Sequence, residues 1–380
     1  MKLTILKHYL NESIQHVSKA ISTKTTIPIL SGIKIDATHQ GVTITGSDTE
    51  ISIQSFIPSK NEDVEIIQLY QIGSVVLPAK FLIEIIKKLP AELIEIESSA
   101  DFKTTIRSGS SEVQLVGLDP DEYPLLPQIE TNKVITLASD LLKNMIRQTS
   151  YAVSTSETTP ILTGVLWCLT DQSLKMVACD RHRLATRETE LQFMEEQMFN
   201  NIVISGKTLN ELNRILPDQN TLVDIAVTNN QVLFKLHNIL FYSRILEGTY
   251  PDTSKLISQT FQTEILIPSK QLIEAIDRAY LLSREEKTNI VKLIMLDNQT
   301  IEISSSLSEL GKVTETIPVE NVIGELLKIS FNSKYMLDAL KVLDSEFIRL
   351  KFTGAMSPII ILPEDGTNLL QLILPYRTTN

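Results

Sequence analysis

Thr26-Ile27-Pro28-Ile29-Leu30-Ser31-Gly32 returns 132 residues later as Thr158-Thr159-Pro160-Ile161-Leu162-Thr163-Gly164. Each copy follows an amphipathic helical pattern and precedes an apolar strand. Working outward, Gly46-Ser47-Asp48 is echoed at the same spacing by Ala178-Cys179-Asp180. Asp121-Glu122-Tyr123-Pro124 returns as Gly248-Thr249-Tyr250-Pro251-Asp252. A third copy is fainter, with Asn289-Ile290-Val291-Lys292-Leu293 in the place of the Pro-Ile-Leu segment. Its second helix start is clear. Pro78-Ala79-Lys80-Phe81-Leu82, Ser205-Gly206-Lys207-Thr208-Leu209 and Asn332-Ser333-Lys334-Tyr335-Met336 stand 127 residues apart. Long-period self-similarity marks a repeated structural unit. Three tandem units are expected, over residues 1–129, 130–258 and 259–380.

Two helices are predicted in each unit. Leu10, Ile14, Val17 and Ile21 share one helical face, as do Leu82, Ile85, Ile86 and Leu89. Leu141, Leu142, Met145 and Ile146 repeat the pattern, followed by Leu209, Leu212, Ile215 and Leu216. Ile273, Ile276 and Tyr280, then Met336, Leu337, Leu340 and Leu343, complete the six. Elsewhere apolar and polar residues alternate, as in Val42-Thr43-Ile44-Thr45 and Ile301-Glu302-Ile303-Ser304. That is the pattern of half-buried antiparallel strands. Each unit is therefore expected to be α+β, two helices packed on antiparallel sheet.

The chain has 380 residues, 43% hydrophobic, and a net charge of −11. It is long enough for several cores and is not disordered by composition. Cys168 and Cys179 are its two cysteines. They form no disulfide framework, and a reducing cytoplasm is the expected home. Residues 1–13 show no apolar run followed by a cleavage site, and no stretch approaches a membrane span.

The acidic balance disfavours a protein that grips nucleic acid with its whole surface. The six helices nevertheless carry Lys19, Lys80, Lys87, Lys88, Lys143, Arg147, Lys207, Arg214, Arg278, Lys334 and Lys341. Helix surfaces favour Lys and Arg in any protein, but recurrence in all six suggests a shared positive face. Such a face would meet phosphates, which hold position without reading sequence. Few contacts would bind weakly and be screened by salt. Retention on DNA would then need a closed ring, for which six units suffice and three do not. A head-to-tail homodimer with two-fold symmetry is expected.

Catalytic patterns are incomplete. Ser205-Gly206-Lys207-Thr208 looks like the end of a phosphate-binding loop, but Asn201 stands where that motif needs glycine. Cys179-x-x-His182 is half of a metal pattern with no second pair. No catalytic residue, metal or cofactor is expected.

In order along the whole chain, these segments resemble bacterial DNA sliding clamps, the β-subunit of the replicative polymerase III. Residues 25–32 resemble the first-domain motif and residues 154–164 the second. Asp180-Arg181-His182-Arg183-Leu184-Ala185 resembles the family's Asp-x-His-Arg-Leu-Ala element. Tyr250-Pro251-Asp252, Phe352-Thr353-Gly354-Ala355-Met356 and Leu372-Ile373-Leu374-Pro375-Tyr376-Arg377 fit as well.

The resemblance implies a ring-shaped homodimer, a non-enzymatic processivity factor with duplex DNA through its centre. It implies a pocket for short motifs of the polymerase III catalytic subunit, the clamp loader and other clamp-motif proteins. That pocket would use Leu162, Cys179, His182, Arg183, Leu184, Pro251, Leu256, Ile373, Leu374, Pro375, Tyr376 and Arg377. Arg183 and Arg377 would hold a peptide carboxyl or carbonyl. DNA contacts would come from Lys24, Thr155 and Ser156, with Lys80, Lys207 and Lys334 at the repeated helix starts. Ile106, Leu115, Leu281 and Leu282 would lie near the joint between copies.

Some positions depart from the family. Arg181 stands where a small residue is usual, and Thr159 and Ser357 where close relatives often carry arginine. Ser110 and Glu112 replace basic residues at the joint. These departures suggest a divergent or second clamp with altered partner preference or weaker closure. The alternative from another class is a three-repeat interaction scaffold that never touches DNA.

Overall fold

Helical spacing of the apolar residues becomes six α-helices in the computed structural model. They are α1 (Lys7–Val17), α2 (Ala79–Lys88), α3 (Ser139–Ser150), α4 (Gly206–Ile215), α5 (Ser269–Ser283) and α6 (Ser333–Leu340). The structure describes all residues except 23–24, 63, 127–133, 171, 192–200, 259, 286–287, 308–310, 367 and 378–380. The expected contact Lys24 and the first expected repeat boundary, at 129, fall outside the described residues.

The chain divides into two compact units. One holds Met1–Leu141 and Glu211–Ile245, the other Leu142–Asn210 and Leu246–Asn380. The second repeat therefore contributes half of itself to each unit.

In the first unit, a five-stranded sheet runs Ser111–Val116, Lys103–Ser108, Leu93–Ser98, Lys2–Leu6, Ile67–Gln71. An eight-stranded sheet joins Val134–Ala138, Leu222–Val227, Gln231–Leu236 and Ile239–Arg244 to Ile51–Pro58, Gly41–Ser47, Gly32–Thr38 and Gly73–Pro78. The join between repeats is a ladder in which Phe241 faces Ile53. α1 buries Leu10, Ile14 and Val17, spaced as the sequence predicts. It stops earlier than expected: Ser18–Ala20 tighten to a 3-10 turn and Ile21 is extended. Gly46 lets this end approach the sheet, since a Cβ there would lie 2.5 Å from the Val17 carbonyl oxygen.

In the second unit, a nine-stranded sheet runs Ile202–Ser205, Gly164–Leu169, Ser173–Cys179, Arg183–Glu190, Leu369–Ile373, Ile359–Pro363, Phe347–Phe352, Thr263–Pro268, Asn321–Gly324. A four-stranded sheet runs Gly311–Pro318, Thr300–Leu307, Ile290–Met295, Lys328–Asn332. Here too a ladder crosses between repeats, with Leu184 opposite Leu372. Pairing is antiparallel throughout these ladders, so backbone donors and acceptors are satisfied inside the sheets. α5 buries Leu272, Ala275, Ile276 and Ala279 against Val291, Leu293, Ile301 and Ile303. α6 is capped by Asn332, whose side chain accepts the Tyr335 N–H at 3.2 Å. Leu343 is buried beyond the end of that helix rather than on its face.

Each sheet has free edges. Ser111–Val116 is an outer strand in the first unit, and Gly311–Pro318 one in the second. Among the described residues no helix is long and apolar enough to cross a membrane.

Candidate functional site

Strands Ser173–Cys179 and Arg183–Glu190 form a hairpin whose tip is Asp180-Arg181-His182. Asp180 organises that tip. Its Oδ1 accepts the backbone N–H groups of His182 at 2.9 Å and Arg183 at 3.0 Å. Its Oδ2 accepts the Arg183 Nε–H at 2.9 Å. Arg183 Nη1 then donates to Asp338 of α6 at 2.8 Å. The guanidinium also lies 4.5 Å from the Tyr335 ring centre and 5.3 Å from that of Tyr151. A cation flanked by two carboxylates and two aromatic faces is held firmly. Arg183 is thus committed to the scaffold. These bonds fix the tip.

Behind the tip lies an apolar cluster. Leu162, Cys179 and Leu184 are buried in it, as expected. Leu162 sits in a 3-10 turn, Pro160–Thr163, rather than on a strand. Tyr250 closes one side: its hydroxyl accepts the Cys179 N–H at 2.9 Å and donates to the Cys179 Sγ at 3.8 Å. Ile373 does not join the cluster. It is buried with the third-repeat core, while Leu372 packs beside Leu184. Alternation along the strand sends neighbours to opposite faces, so a one-residue difference decides which lines the site. Sequence reasoning missed Leu372, Ile360 and Val177 in this cluster. The same alternation, applied to Leu370 and Leu372, was the available signal.

The rim is exposed. Pro251 is open, Leu256 is 45% exposed, Leu374 36% and Tyr376 49%. These values exceed what a satisfied apolar core allows. Backbone bonds tether the C-terminal segment while its side chains stay open. Leu374 N–H donates to the His182 carbonyl at 2.8 Å, and Tyr376 N–H to the Ser330 carbonyl at 2.7 Å. Pro375 bridges Phe331, and Arg377 is exposed. His182 stacks on Tyr335, ring centres 6.2 Å apart. The structure therefore brings Leu162, Cys179, His182, Arg183, Leu184 and Leu374 together at the hairpin and the C-terminal strand, while Ile373 turns away. A separate cavity of about 650 Å³, lined by Gln148, Arg187, Arg349 and Asp365 among others, contains none of them.

Burial pushes the Cys179 thiol above the ordinary cysteine range, with the Tyr250 hydroxyl pulling the other way. Burial raises the Cys168 thiol too. Raised thiols stay protonated at pH 8, where the thiolate is the reactive form. Thiol titration with an aromatic disulfide reagent should therefore run roughly tenfold or more slower in native than in unfolded protein.

Lys80, Lys207 and Lys334 each occupy the second position of a helix, and all are exposed without an ion pair among the described residues. Four other helix cations are neutralised, which narrows the positive face expected from sequence. Arg214 pairs with Glu211 at 2.7 Å, Lys88 with Glu84 at 3.1 Å, and Arg147 with Asp344. Arg278 donates through Nε to Glu315 at 2.9 Å. Thr155 and Ser156 are exposed on a turn, where the Ser156 N–H donates to Ser154 Oγ at 3.1 Å.

Of the expected joint residues, Leu281 is 51% exposed, and Leu115 and Leu282 are partly buried. Ile106 is wholly buried in the first unit, so its side chain cannot meet a partner. Thr104, Ile106 and Ser108 all face inward on that strand. Val116 and Leu118, 71% and 41% exposed, are the open apolar residues on the neighbouring edge segment.

Three repeats and an apolar cluster beside exposed apolar side chains are features of a multidomain binding protein. Three family profiles cover nearly the whole chain. They are the DNA polymerase III beta subunit N-terminal domain over residues 1–127, its central domain over 136–252 and its C-terminal domain over 254–377. The chain belongs to this family, the bacterial sliding clamps. It is 54% identical over 378 residues to the beta sliding clamp of Bacillus subtilis, covering all of both chains. It is 50% identical to that of Halalkalibacterium halodurans, over 97% of each. The crystal structure of the Bacillus subtilis clamp superposes with a TM-score of 0.97 over the whole of both chains. The protein is accordingly a processivity factor of the replicative polymerase.

Proposed function

We propose that two copies of this chain close head to tail into a six-domain ring around duplex DNA. The domains are residues 1–129, 130–258 and 259–380. The observation that carries this reading is the pair of free sheet edges, Ser111–Val116 in the first repeat and Gly311–Pro318 in the third. A strand edge with unpaired backbone groups is a template for another chain. Two different edges on one molecule make a heterologous joint, and two such joints close a two-fold ring. Leu115 and Leu281, with exposed Val116, supply apolar contact beside the ladder.

Inside the ring, Lys80, Lys207 and Lys334 meet phosphates, with Lys24, Thr155 and Ser156 as further contacts. Six copies of a weak, salt-screened contact let the ring slide without reading sequence. Retention comes from closure. The apolar cluster of Leu162, Cys179, Leu184 and Leu372, rimmed by Pro251, Leu256, Leu374 and Tyr376, receives short peptides. These come from the polymerase III catalytic subunit, the clamp loader and other clamp-motif proteins. His182, Pro375 and Arg377 border it. The ring itself catalyses nothing, and opening it belongs to the loader.

Loading onto nicked circular DNA tests this reading. The clamp should stay on the circle through gel filtration in high salt and run off once the circle is cut. Equal retention on linear and circular DNA would contradict enclosure.

A further inference from the structure

The hairpin tip carries one arginine that the scaffold does not use. Arg181 has a φ of +76°, a left-handed conformation rare for a residue with a side chain. Holding arginine there costs free energy that glycine would not. The side chain is exposed, and its Nη2 donates to Thr159 Oγ1 at 2.7 Å. Thr159 is itself fixed, because its carbonyl accepts the Leu162 N–H at 3.0 Å. The guanidinium is therefore held beside the turn that carries Leu162, at the mouth of the apolar cluster. Asp180, the acid adjacent in sequence, is committed to Arg183 and to two backbone N–H groups. Among the described residues no carboxylate pairs with Arg181.

A guanidinium has five N–H donors in a planar fork that matches a carboxylate. We propose that Arg181 is a specificity-determining residue, selecting partner peptides that carry Asp or Glu next to their apolar anchors. This rests on the peptide-docking reading above. The apolar cluster takes the anchors, and Arg181 reads the charge beside them. A solvated arginine would give no such preference. The Thr159 bond sets its position, so Thr159→Val should weaken the preference without removing the charge.

The test uses the full-length protein and fluorescent, end-blocked hexapeptides holding two leucines and one phenylalanine. Each remaining position carries Asp in one peptide and Asn in its twin. For at least one position the Asp peptide should bind wild type about 5-fold tighter than its twin at low salt. That ratio should fall towards one in half-molar salt, where exposed charges are screened. It should fall to about one in Arg181→Gly, whose thermal midpoint should equal or exceed wild type because glycine relaxes the backbone. A ratio that persists in Arg181→Gly, or no Asp–Asn difference among peptides that do bind, overturns the inference alone. Failure of every peptide to bind wild type overturns the docking reading and this one with it.

Discussion

Arg183→Ala is expected to lose about 3 kcal/mol of stability in the sheet that carries the hairpin. The side chains of Arg183 and Asp180 are each only 10% exposed. Removing the cation leaves Asp180 charged, nearly buried and short of its strongest partner. Breaking such a pair costs far more than the pair contributes net, because the desolvation of the remaining charge is no longer offset. Asp338 adds little, since it is 34% exposed and water replaces the arginine there. The single tryptophan, Trp167, is buried in the same nine-stranded sheet. Its fluorescence in a urea titration therefore reports local unfolding, even where the whole chain does not unfold in one step. Arg183→Ala should shift that transition to lower urea. Adding Asp180→Asn should recover part of the loss, because the orphaned charge is gone. If the single variant unfolds with wild type, Arg183 does not brace the tip, and the commitment inferred from its bonds is wrong.

Much of this fold was legible in the sequence. Period-two and helical patterns act within a few residues of chain, so each helix and most strands announced themselves. The recurrence of Pro-Ile-Leu and of the Lys80, Lys207 and Lys334 helix starts revealed the repeats. The ladders between repeats were not legible. Arg183 faces Ile373 and Phe241 faces Ile53 across sequence separations that leave no local signal. Hence the repeats read from the chain and the two compact units do not coincide. Ile373 shows how far site reading goes by resemblance alone: the right strand was chosen, but the face was decided by its pleat. The cations of Arg147 and Arg278 could be counted in the sequence, but their carboxylate partners, Asp344 and Glu315, appear only in three dimensions.

The largest effect on function should come from a single backbone donor at the free edge. Along an antiparallel edge strand, successive residues send their N–H groups alternately to the neighbouring strand and to open space. Val113 and Gln114 are adjacent on Ser111–Val116, opposite Ile106 and Thr105. One of the two must therefore present its N–H to the open edge. Proline removes that donor and places a ring in its way. Of Val113→Pro and Gln114→Pro, one should damage its own sheet and melt early. The other should fold with wild-type stability yet fail to pair with a second copy. Losing about 3 kcal/mol at each joint weakens dimerisation at least about 100-fold. Light scattering at low micromolar concentration should then give the 42.7 kDa monomer in place of twice that mass. The same should hold for one of Val313→Pro and Thr314→Pro on the opposite edge, since a head-to-tail joint needs both surfaces. A monomeric variant should keep its peptide affinity, because the hairpin site lies within one compact unit, and lose retention on circular DNA entirely. Wild-type mass from all four variants would place the joint away from these strands and remove the physical basis for closure argued from them.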